Sequence, residues 1–148
     1  MHMITENRWK HIIGVARLAR DFALKLRPND TEYAQDMFLL GLLHDIGYEF
    51  LENGHGHAAL GGQILKRAGY KYWDAVANHG YSDISEVSDE LFILNCADMS
   101  IDLNGNRCTM DARLTDIAAR YGMDSETYHN AVQEIDGLKS DPRYKKLK

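Results

Sequence analysis

The sequence predicts an all-α protein, and three observations support this fold class. Apolar residues recur at intervals of three and four through most of the 148 residues, which is the spacing of one helical face. The two prolines, Pro28 and Pro142, stand between or beyond these periodic segments, so long stretches lack the residue that most disrupts helices. No segment alternates apolar and polar residues as a half-buried strand does. We therefore expect a helical bundle.

Capping residues define the first two predicted helices. Thr5 is the predicted N-cap of a helix over residues 6–26, whose apolar stripe has helical spacing. Asp30 is predicted to cap a second helix, which is apolar nearly all round and is therefore expected to be central. Gly47 is predicted to end this helix in a left-handed turn. The glycine-rich and polar segment 49–56 is predicted to be a loop.

Five more helices are expected in the rest of the chain, with a turn at Asn104-Gly105-Asn106. Their predicted ranges are 57–68, 72–78, 90–103, 111–121 and 125–138. We expect one domain over residues 1–148. The last two helices, within residues 106–140, are predicted either to close a pocket or to form a homodimer interface.

Composition narrows the classes of function. The net charge is −5, with 22 acidic residues against 17 Lys and Arg, and the basic residues cluster only at the tail, so a general nucleic-acid surface is not expected. No run approaches the roughly 18 apolar residues of a membrane span. Charged residues interrupt the first apolar stretch, which argues against a signal peptide. Together with two cysteines, Cys96 and Cys108, that have no CxxC partner, this predicts a soluble cytoplasmic protein with reduced thiols.

Potential metal ligands are spread over five successive predicted helices. A metal centre in a helical bundle collects one or two side chains from each of several facing helices, so its ligands lie far apart in sequence. Imidazole and carboxylate ligands together suit Fe, Mn, Co, Ni or Zn. The six predicted ligands are His11, His44, Asp45, His57, His79 and Asp98.

The predicted metal centre depends most on the adjacent pair His44-Asp45. Neighbouring side chains diverge by about 100° on a helix, so both reach one centre only where the helix is ending. Asp45 has two oxygens and is able to bridge two ions about 3.5–4 Å apart, the spacing of two-metal hydrolases. The first ion would be held by His11, His44, Asp45 and Asp98. The second would share Asp45 and recruit His57 and His79, and six ligands favour two ions.

These motifs resemble those of the HD-domain superfamily in their order and spacing over residues 11–98. The matching segments are His11 with Val15-Ala16, Gly41-Leu42-Leu43-His44-Asp45-Ile46-Gly47, His57 with Gly61-Gly62, Ala77-Asn78-His79, and Asn95-Cys96-Ala97-Asp98. The resemblance implies a helical bundle of about five core helices plus two C-terminal helices. It also implies a metal-dependent phosphohydrolase.

The complete ligand set most resembles that of bacterial enzymes that hydrolyse dinucleoside tetraphosphates at a binuclear iron centre. The resemblance implies two divalent ions, with iron favoured, and a metal-activated hydroxide that attacks a phosphate ester or anhydride of a small-molecule substrate, expected to be a nucleotide. Those enzymes usually carry a Lys where this chain has Tyr48. That departure leaves a phosphomonoester, a phosphodiester or another organophosphorus compound open.

Further residues receive predicted roles beside the ligands. Arg107 resembles in position the phosphate-contacting Arg beyond the last motif of those enzymes, and the resemblance implies a role in both catalysis and substrate binding. Asp83, near His79, is predicted to orient water or protonate a leaving group, while Asp45 is counted as catalytic as well as ligating. Tyr48 and Lys66, the latter with Arg67 as an alternative, are predicted to contact substrate.

Two other functions remain compatible with the sequence. One is an HD-type diiron oxygenase acting on a small organic substrate, which the missing Lys keeps open. The other is a non-catalytic metal- or nucleotide-binding signalling module, although degenerate HD domains usually lose ligands. Among the remaining histidines, His55 competes with His57 for one ligand position, and His57 is preferred because it opens a predicted helix. His2 and His129 are predicted to lie on the surface.

Overall fold

Helices account for the architecture of residues 4–50 and 56–148, the ranges that the computed structural model describes. The α-helices are α1 (Glu6–Leu26), α2 (Thr31–Leu43), α3 (His57–Arg67), α4 (Trp73–Asn78), α5 (Asp89–Asp98), α6 (Met110–Tyr121) and α7 (Glu126–Ser140). Short 3-10 helices cover Ile46–Phe50 and Pro142–Leu147. These described ranges contain no β-strand, and their helices lack the length and apolar character needed to cross a membrane. The all-α prediction is confirmed.

Capping residues begin the helices where the sequence predicts. The Thr5 hydroxyl accepts a hydrogen bond from the Arg8 amide at 3.1 Å, and the Asp30 carboxylate accepts one from the Tyr33 amide at 3.0 Å. These side chains satisfy amides in the first turn of each helix that have no intrahelical partner. The boundaries that the sequence predicts for α1 are those of the structure.

Helix α5 is the most deeply buried of the described helices. The sequence predicts instead that α2 is the central helix. Seven consecutive α5 residues, 91–97, are buried, whereas Leu39 of α2 remains 45% exposed. One face of α2 packs closely on α1, and a Cβ on Gly41 would lie 2.4 Å from the Ala16 Cα. Because α1 packs against both α2 and α5, the segments of these helices that carry the predicted ligands lie close together.

Two predicted boundaries are wrong. Gly47 does not adopt a left-handed conformation and lies instead in the 3-10 helix, where a Cβ would lie 2.0 Å from the His57 carbonyl oxygen. Its small size is therefore required for close packing on the start of α3. Helix α5 ends at Asp98 rather than at residue 103, because the Asp102 side chain accepts hydrogen bonds from the Asn104 and Asn106 amides and folds a tight loop.

The segment predicted as the loop 49–56 is described only in part. Glu49 and Phe50 close the 3-10 helix, and Gly56 precedes α3 with a φ of 74°. His55 and His2 lie outside the described residues, so their predicted placements are left as predictions.

Candidate metal centre

Five segments bring the six predicted ligands together. His11 lies on α1, His44 and Asp45 directly follow α2, His57 begins α3, His79 directly follows α4, and Asp98 ends α5. His11, His44, Asp45 and His79 are between 0% and 3% exposed. The side chains of Asp98 and His57 are 15% and 25% exposed. The cluster is therefore enclosed on most sides, with its most accessible ligand at His57.

One group of ligand atoms surrounds Asp98. The His11 Nε2 lies 2.8 Å from the Asp98 Oδ1, and the His44 Nε2 lies 3.5 Å from the same oxygen. The His44 Nε2 is also 3.3 Å from the Asp45 Oδ2. Two imidazoles and two carboxylates thus direct ligand atoms toward one space.

A second group surrounds the other oxygen of Asp45. The His57 and His79 Nε2 atoms lie 3.5 Å and 3.6 Å from the Asp45 Oδ1, and 3.1 Å from each other. Asp45 therefore presents one oxygen to each group, which is the arrangement required of a bridging carboxylate. The His-Asp pair contributes to both groups at the point where α2 ends: His44 is the C-cap of α2, and Asp45 directly precedes the 3-10 helix.

Backbone carbonyls orient three of the imidazoles. The Nδ1 atoms of His11, His44 and His79 lie 3.1, 2.6 and 2.6 Å from the carbonyl oxygens of Asp102, Gly41 and Val76. A carbonyl only accepts, so each Nδ1 must donate its proton. In the neutral ring the Nε2 then carries a lone pair directed into the cluster. Metal-binding histidines are commonly held in this way.

The six residues are suited to binding a metal, because the inward-facing Nε2 lone pairs of His11 and His44 have no proton donor opposite them in the described residues. Without a metal, the imidazole lone pairs face carboxylate oxygens. Both are hydrogen-bond acceptors, so they cannot bond to each other. The His44 Nε2 is fully buried and makes no hydrogen bond within the described residues. Such an unsatisfied buried polar atom is costly. A proton or a divalent cation between the facing atoms removes that cost. The described chain holds two groups of three residues that could bind a metal, His11-His44-Asp98 and His44-Asp45-His79, and the two groups share His44.

The electrostatics of the metal-free cluster agree with this interpretation. Burial opposes the charged form of His44, yet Asp45 and Asp98 outweigh it and raise the pKa of that imidazole to about 10. Burial likewise disfavours both carboxylates, but the facing imidazoles hold the pKa of Asp45 and of Asp98 well below the usual range. The cluster therefore attracts a positive charge, and protons compete with metal for it.

Arg8 lies beside the cluster, although the sequence analysis did not identify it. Its guanidinium donates to the Asp45 Oδ2 at 3.2 Å and lies 3.9 Å from the centroid of the Tyr48 ring. The Tyr48 ring in turn stacks on His57 at a centroid distance of 4.2 Å. Arg8 precedes His11 by three residues, so the shared helix face was a signal available in the sequence.

Arg113 and Glu134 are two further residues that the sequence analysis missed. One Arg113 guanidinium nitrogen lies 4.0 Å from the Asp98 Oδ1. Glu134 is only 6% exposed, and burial together with the charge of Asp98 raises its pKa to about 8 despite the opposing charge of Arg113. Glu134 occupies the apolar stripe that Ala131, Ile135 and Leu138 form on α7, and a carboxylate at such a position was the available signal.

The remaining predicted site residues lie in different places. Tyr48 lies against the ligand His57, as described above. The Arg107 guanidinium lies 5.3 Å from the Phe22 ring centroid and lines a cavity of about 500 Å³ that shares no lining residue with the six ligands. The Lys66 side chain is exposed, with its amino group 4.6 Å from the Trp73 ring centroid, and Asp83 is exposed. The structure thus brings together the six ligands and Tyr48, while Arg8 and Arg113 are the arginines nearest to them.

Together these features define a class of protein, an all-helical domain whose consecutive helix ends assemble a buried histidine and aspartate cluster suited to divalent metal. The family model of the HD domain matches residues 8–138, and the chain belongs to the HD-domain family. Members of this family are typically metal-dependent phosphohydrolases. Comparison with curated proteins and with solved structures gives no match.

Proposed function

We propose that this protein is a metal-dependent phosphohydrolase that cleaves a phosphate ester or anhydride, with a nucleotide as the expected substrate. The observation that carries the proposal is the division of the six ligands into two groups that share Asp45. The Asp45 Oδ2 lies 3.3 Å from His44, while its Oδ1 lies 3.5 Å from His57. This arrangement suits two ions better than one.

His11, His44, Asp45 and Asp98 would hold the first ion, and Asp45, His57 and His79 the second. When bound, such ions lower the pKa of water toward about 7 and neutralise phosphoryl oxygens. Iron is the favoured metal because imidazole and carboxylate ligands suit it, with Mn, Co, Ni and Zn as alternatives.

Charge balance makes the loaded centre attractive to phosphate. Two aspartates oppose two arginines, Arg8 and Arg113, and the histidines are neutral when they ligate metal. Each divalent ion then adds two positive charges to a cluster that is otherwise close to neutral. A phosphoryl group, which carries negative charge on several oxygens, is the complementary ligand.

Arg8 and Tyr48 would bind the substrate at the accessible side of the centre. The Arg8 side chain is 27% exposed, and its guanidinium lies over the Tyr48 ring, which stacks on His57, the most accessible of the predicted ligands. Burial raises the pKa of Tyr48 to about 12, so its hydroxyl stays protonated at neutral pH and is able to donate a hydrogen bond. The stacked Tyr48 ring also orients the His57 imidazole.

Metal content and phosphate release test the proposal together. We expect protein purified without chelator to hold about two equivalents of metal, and to release phosphate from members of a nucleotide and dinucleotide panel. Asp45→Ala is expected to lose both, because it removes the shared ligand. Metal-free protein that binds none on reconstitution would contradict the proposal.

The choice of metal separates the alternative activities. Hydrolysis supported by Mn, Co or Ni without oxygen would exclude an oxygenase. Turnover that requires reduced iron and O₂, without phosphate release, would identify the diiron oxygenase instead. Metal binding with neither activity would favour the signalling module.

A further inference from the structure

The α6–α7 pair carries two polar side chains, Arg113 and Glu134, each with a buried atom that has no partner in the described residues. The Arg113 side chain is 12% exposed, and its Nε is buried without a hydrogen-bond partner in the part of the chain that the structure describes. The Glu134 Oε2 is also buried, and it too has no partner within those ranges. Buried polar groups are nearly always satisfied, so an unsatisfied pair beside a metal cluster indicates a missing ligand.

Asp98 alone does not satisfy Arg113. The closest approach between them is 4.0 Å, which exceeds hydrogen-bond distance. The Asp98 oxygen concerned, Oδ1, is the one that faces the His11 and His44 Nε2 atoms, so it belongs to the metal group. The Arg113 guanidinium thus stands next to the centre, and its buried Nε finds no acceptor within the residues that the structure describes.

The two arginines approach the cluster at its two carboxylates. Arg8 contacts Asp45 through an oxygen of the first ligand group, and Arg113 approaches Asp98. A guanidinium presents its donors in a planar fork that matches two oxygens of a phosphate. A phosphoryl group bound at the centre would then meet one guanidinium from α1 and one from α6.

We propose that Arg113 is a phosphate-binding residue of this centre and that Glu134 is the positioning residue behind it. The inference rests on the proposed hydrolase function, and it gives the α6–α7 pair the role of completing the site rather than of forming a separate module. Helices α6 and α7 pack against each other, and Arg113 and Glu134 each carry a buried atom without a partner in the described residues, which makes Glu134 the candidate to orient the guanidinium.

A purely structural role for Arg113 makes a different prediction. If Arg113 only neutralised Asp98, its removal would change metal affinity and thermal stability and leave the phosphate affinity of the metal-loaded protein unchanged. A phosphate-binding role predicts weaker phosphate affinity in a protein that still holds its metal. The two roles are therefore separable by measuring metal content, melting temperature and phosphate affinity on the same variants.

The experiment uses the metal-loaded full chain and inorganic phosphate as the probe, with binding measured by calorimetry. Arg113→Met keeps most of the aliphatic stem and removes the charge, and Arg113→Lys keeps the charge but loses the fork. Arg120→Ala is the matched control, since Arg120 is exposed on the same helix. We expect the phosphate Kd to rise about tenfold or more in Arg113→Met, as for loss of a charge-assisted hydrogen bond, and less in Arg113→Lys.

Glu134→Ala tests the positioning role, because it removes the polar group that would orient Arg113. It is expected to weaken phosphate binding in the wild-type background but to have no further effect in Arg113→Met, because its effect acts through Arg113. An equal effect of Glu134→Ala in both backgrounds would overturn the positioning role.

The outcomes distinguish this inference from the proposed function. Unchanged phosphate affinity in Arg113→Met with full metal content would overturn the inference, even if the wild-type protein hydrolyses nucleotides. Should that variant fail to fold or to retain metal, Arg113→Lys decides, and wild-type phosphate affinity in it would overturn the forked contact. Phosphate binding that depends on Arg113, in a protein that hydrolyses nothing, would support the inference and count only against the hydrolase.

Discussion

At the scale of single residues, the tautomers of the histidines decide what the cluster binds. The His44 and His79 Nδ1 atoms donate to carbonyls three residues earlier in the chain, at 2.6 Å each. Both rings are thus fixed by the ends of their own helices, and each directs its Nε2 inward. The same local geometry gives both histidines their orientation even though they come from different helices.

Arg8 supplies the first prediction at this scale. Arg8→Ala is expected to raise KM for a phosphorylated substrate about tenfold, because a charged hydrogen-bond donor to the phosphoryl oxygens is lost. Metal content should stay near the wild-type value, since Arg8 donates to Asp45 but is not itself a ligand. Steady-state kinetics with elemental analysis measures both quantities.

Arg17→Ala is the control for this prediction, because Arg17 is an exposed arginine on the same helix. If both variants changed KM equally, the effect would come from the general charge of α1. If Arg8→Ala lost metal, Arg8 would be a support of Asp45 rather than a substrate contact.

At the scale of helices, glycine is required where two backbones approach each other. The missing Cβ of Gly41 lets α2 lie on Ala16 of α1. This contact sets the distance between His11 and the His44-Asp45 pair. By contrast, a Cβ on Gly137 of α7 would meet no atom within 4 Å.

The two glycines should therefore respond in opposite directions to alanine. Gly41→Ala is expected to lower the free energy of unfolding by about 1–3 kcal/mol, as overpacking does. Gly137→Ala is expected to raise it by about 0.5–1 kcal/mol, because alanine restricts the unfolded chain and favours the helix. Urea unfolding of both variants in chelator measures the difference, and a destabilising Gly137→Ala would contradict the open space on α7.

Helix α7 also fixes the backbone that follows the ligand His79. The Asn130 side chain donates to the Gly80 carbonyl at 2.7 Å and accepts from the Ser82 amide and hydroxyl at 3.2 and 2.7 Å. One amide side chain thus ties three groups of the segment after α4 to the C-terminal helix. The α6–α7 pair supports the metal centre from outside the ligand motifs.

Asn130→Ala is expected to weaken metal binding about 10- to 100-fold, the usual effect of removing an outer support of a ligand. A metal titration with competition by a chelator measures this affinity. The exposed neighbour His129 provides the control, and His129→Ala should bind metal as the wild type does. Equal metal affinity in Asn130→Ala would show that α4 alone positions His79.

At the scale of the whole molecule, the buried carboxyl of Glu134 makes the stability of the metal-free protein depend on pH. Its pKa is about 8 in the folded protein against an ordinary value of 4.5. Above pH 4.5 the unfolded chain releases this proton while the folded chain keeps it. The stability that Glu134 contributes is therefore present at low pH and is lost as pH rises toward 8.

Glu134→Gln is expected to flatten this dependence. Between pH 5 and 6.5 the wild-type free energy of unfolding should fall with rising pH, and that of Glu134→Gln should fall less. The range from pH 5 to 6.5 is chosen because His44 contributes little to the slope there. Its pKa is raised from 6.5 to about 10, so the stability that it contributes is lost mainly above pH 6.5. Urea unfolding across this range in chelator measures both slopes, and identical slopes would show that Glu134 is not protonated in the folded protein.

Much of this molecule follows from its sequence alone. Periodicity and capping residues predict the helical class and most helix starts, because Thr5 and Asp30 act within one turn of their own positions. The spacing of the His and Asp motifs predicts six candidate metal ligands, and the structure brings these six residues together. Predictions from neighbouring residues fail where a residue is required by a contact with a distant part of the chain. Gly47 is such a residue, because it packs against the His57 carbonyl.

Only the tertiary structure decides which charged residues reach the cluster. In the sequence, Arg8, Arg107 and Arg113 are equivalent polar positions at helix or loop surfaces, and motif position favours Arg107. The fold places Arg107 over Phe22 and turns Arg8 and Arg113 toward Asp45 and Asp98. The physical reason is that a helix pattern specifies which face is buried but not which partner that face meets. The long-range packing of α1 on α5 and of α6 on α7 supplies that partner.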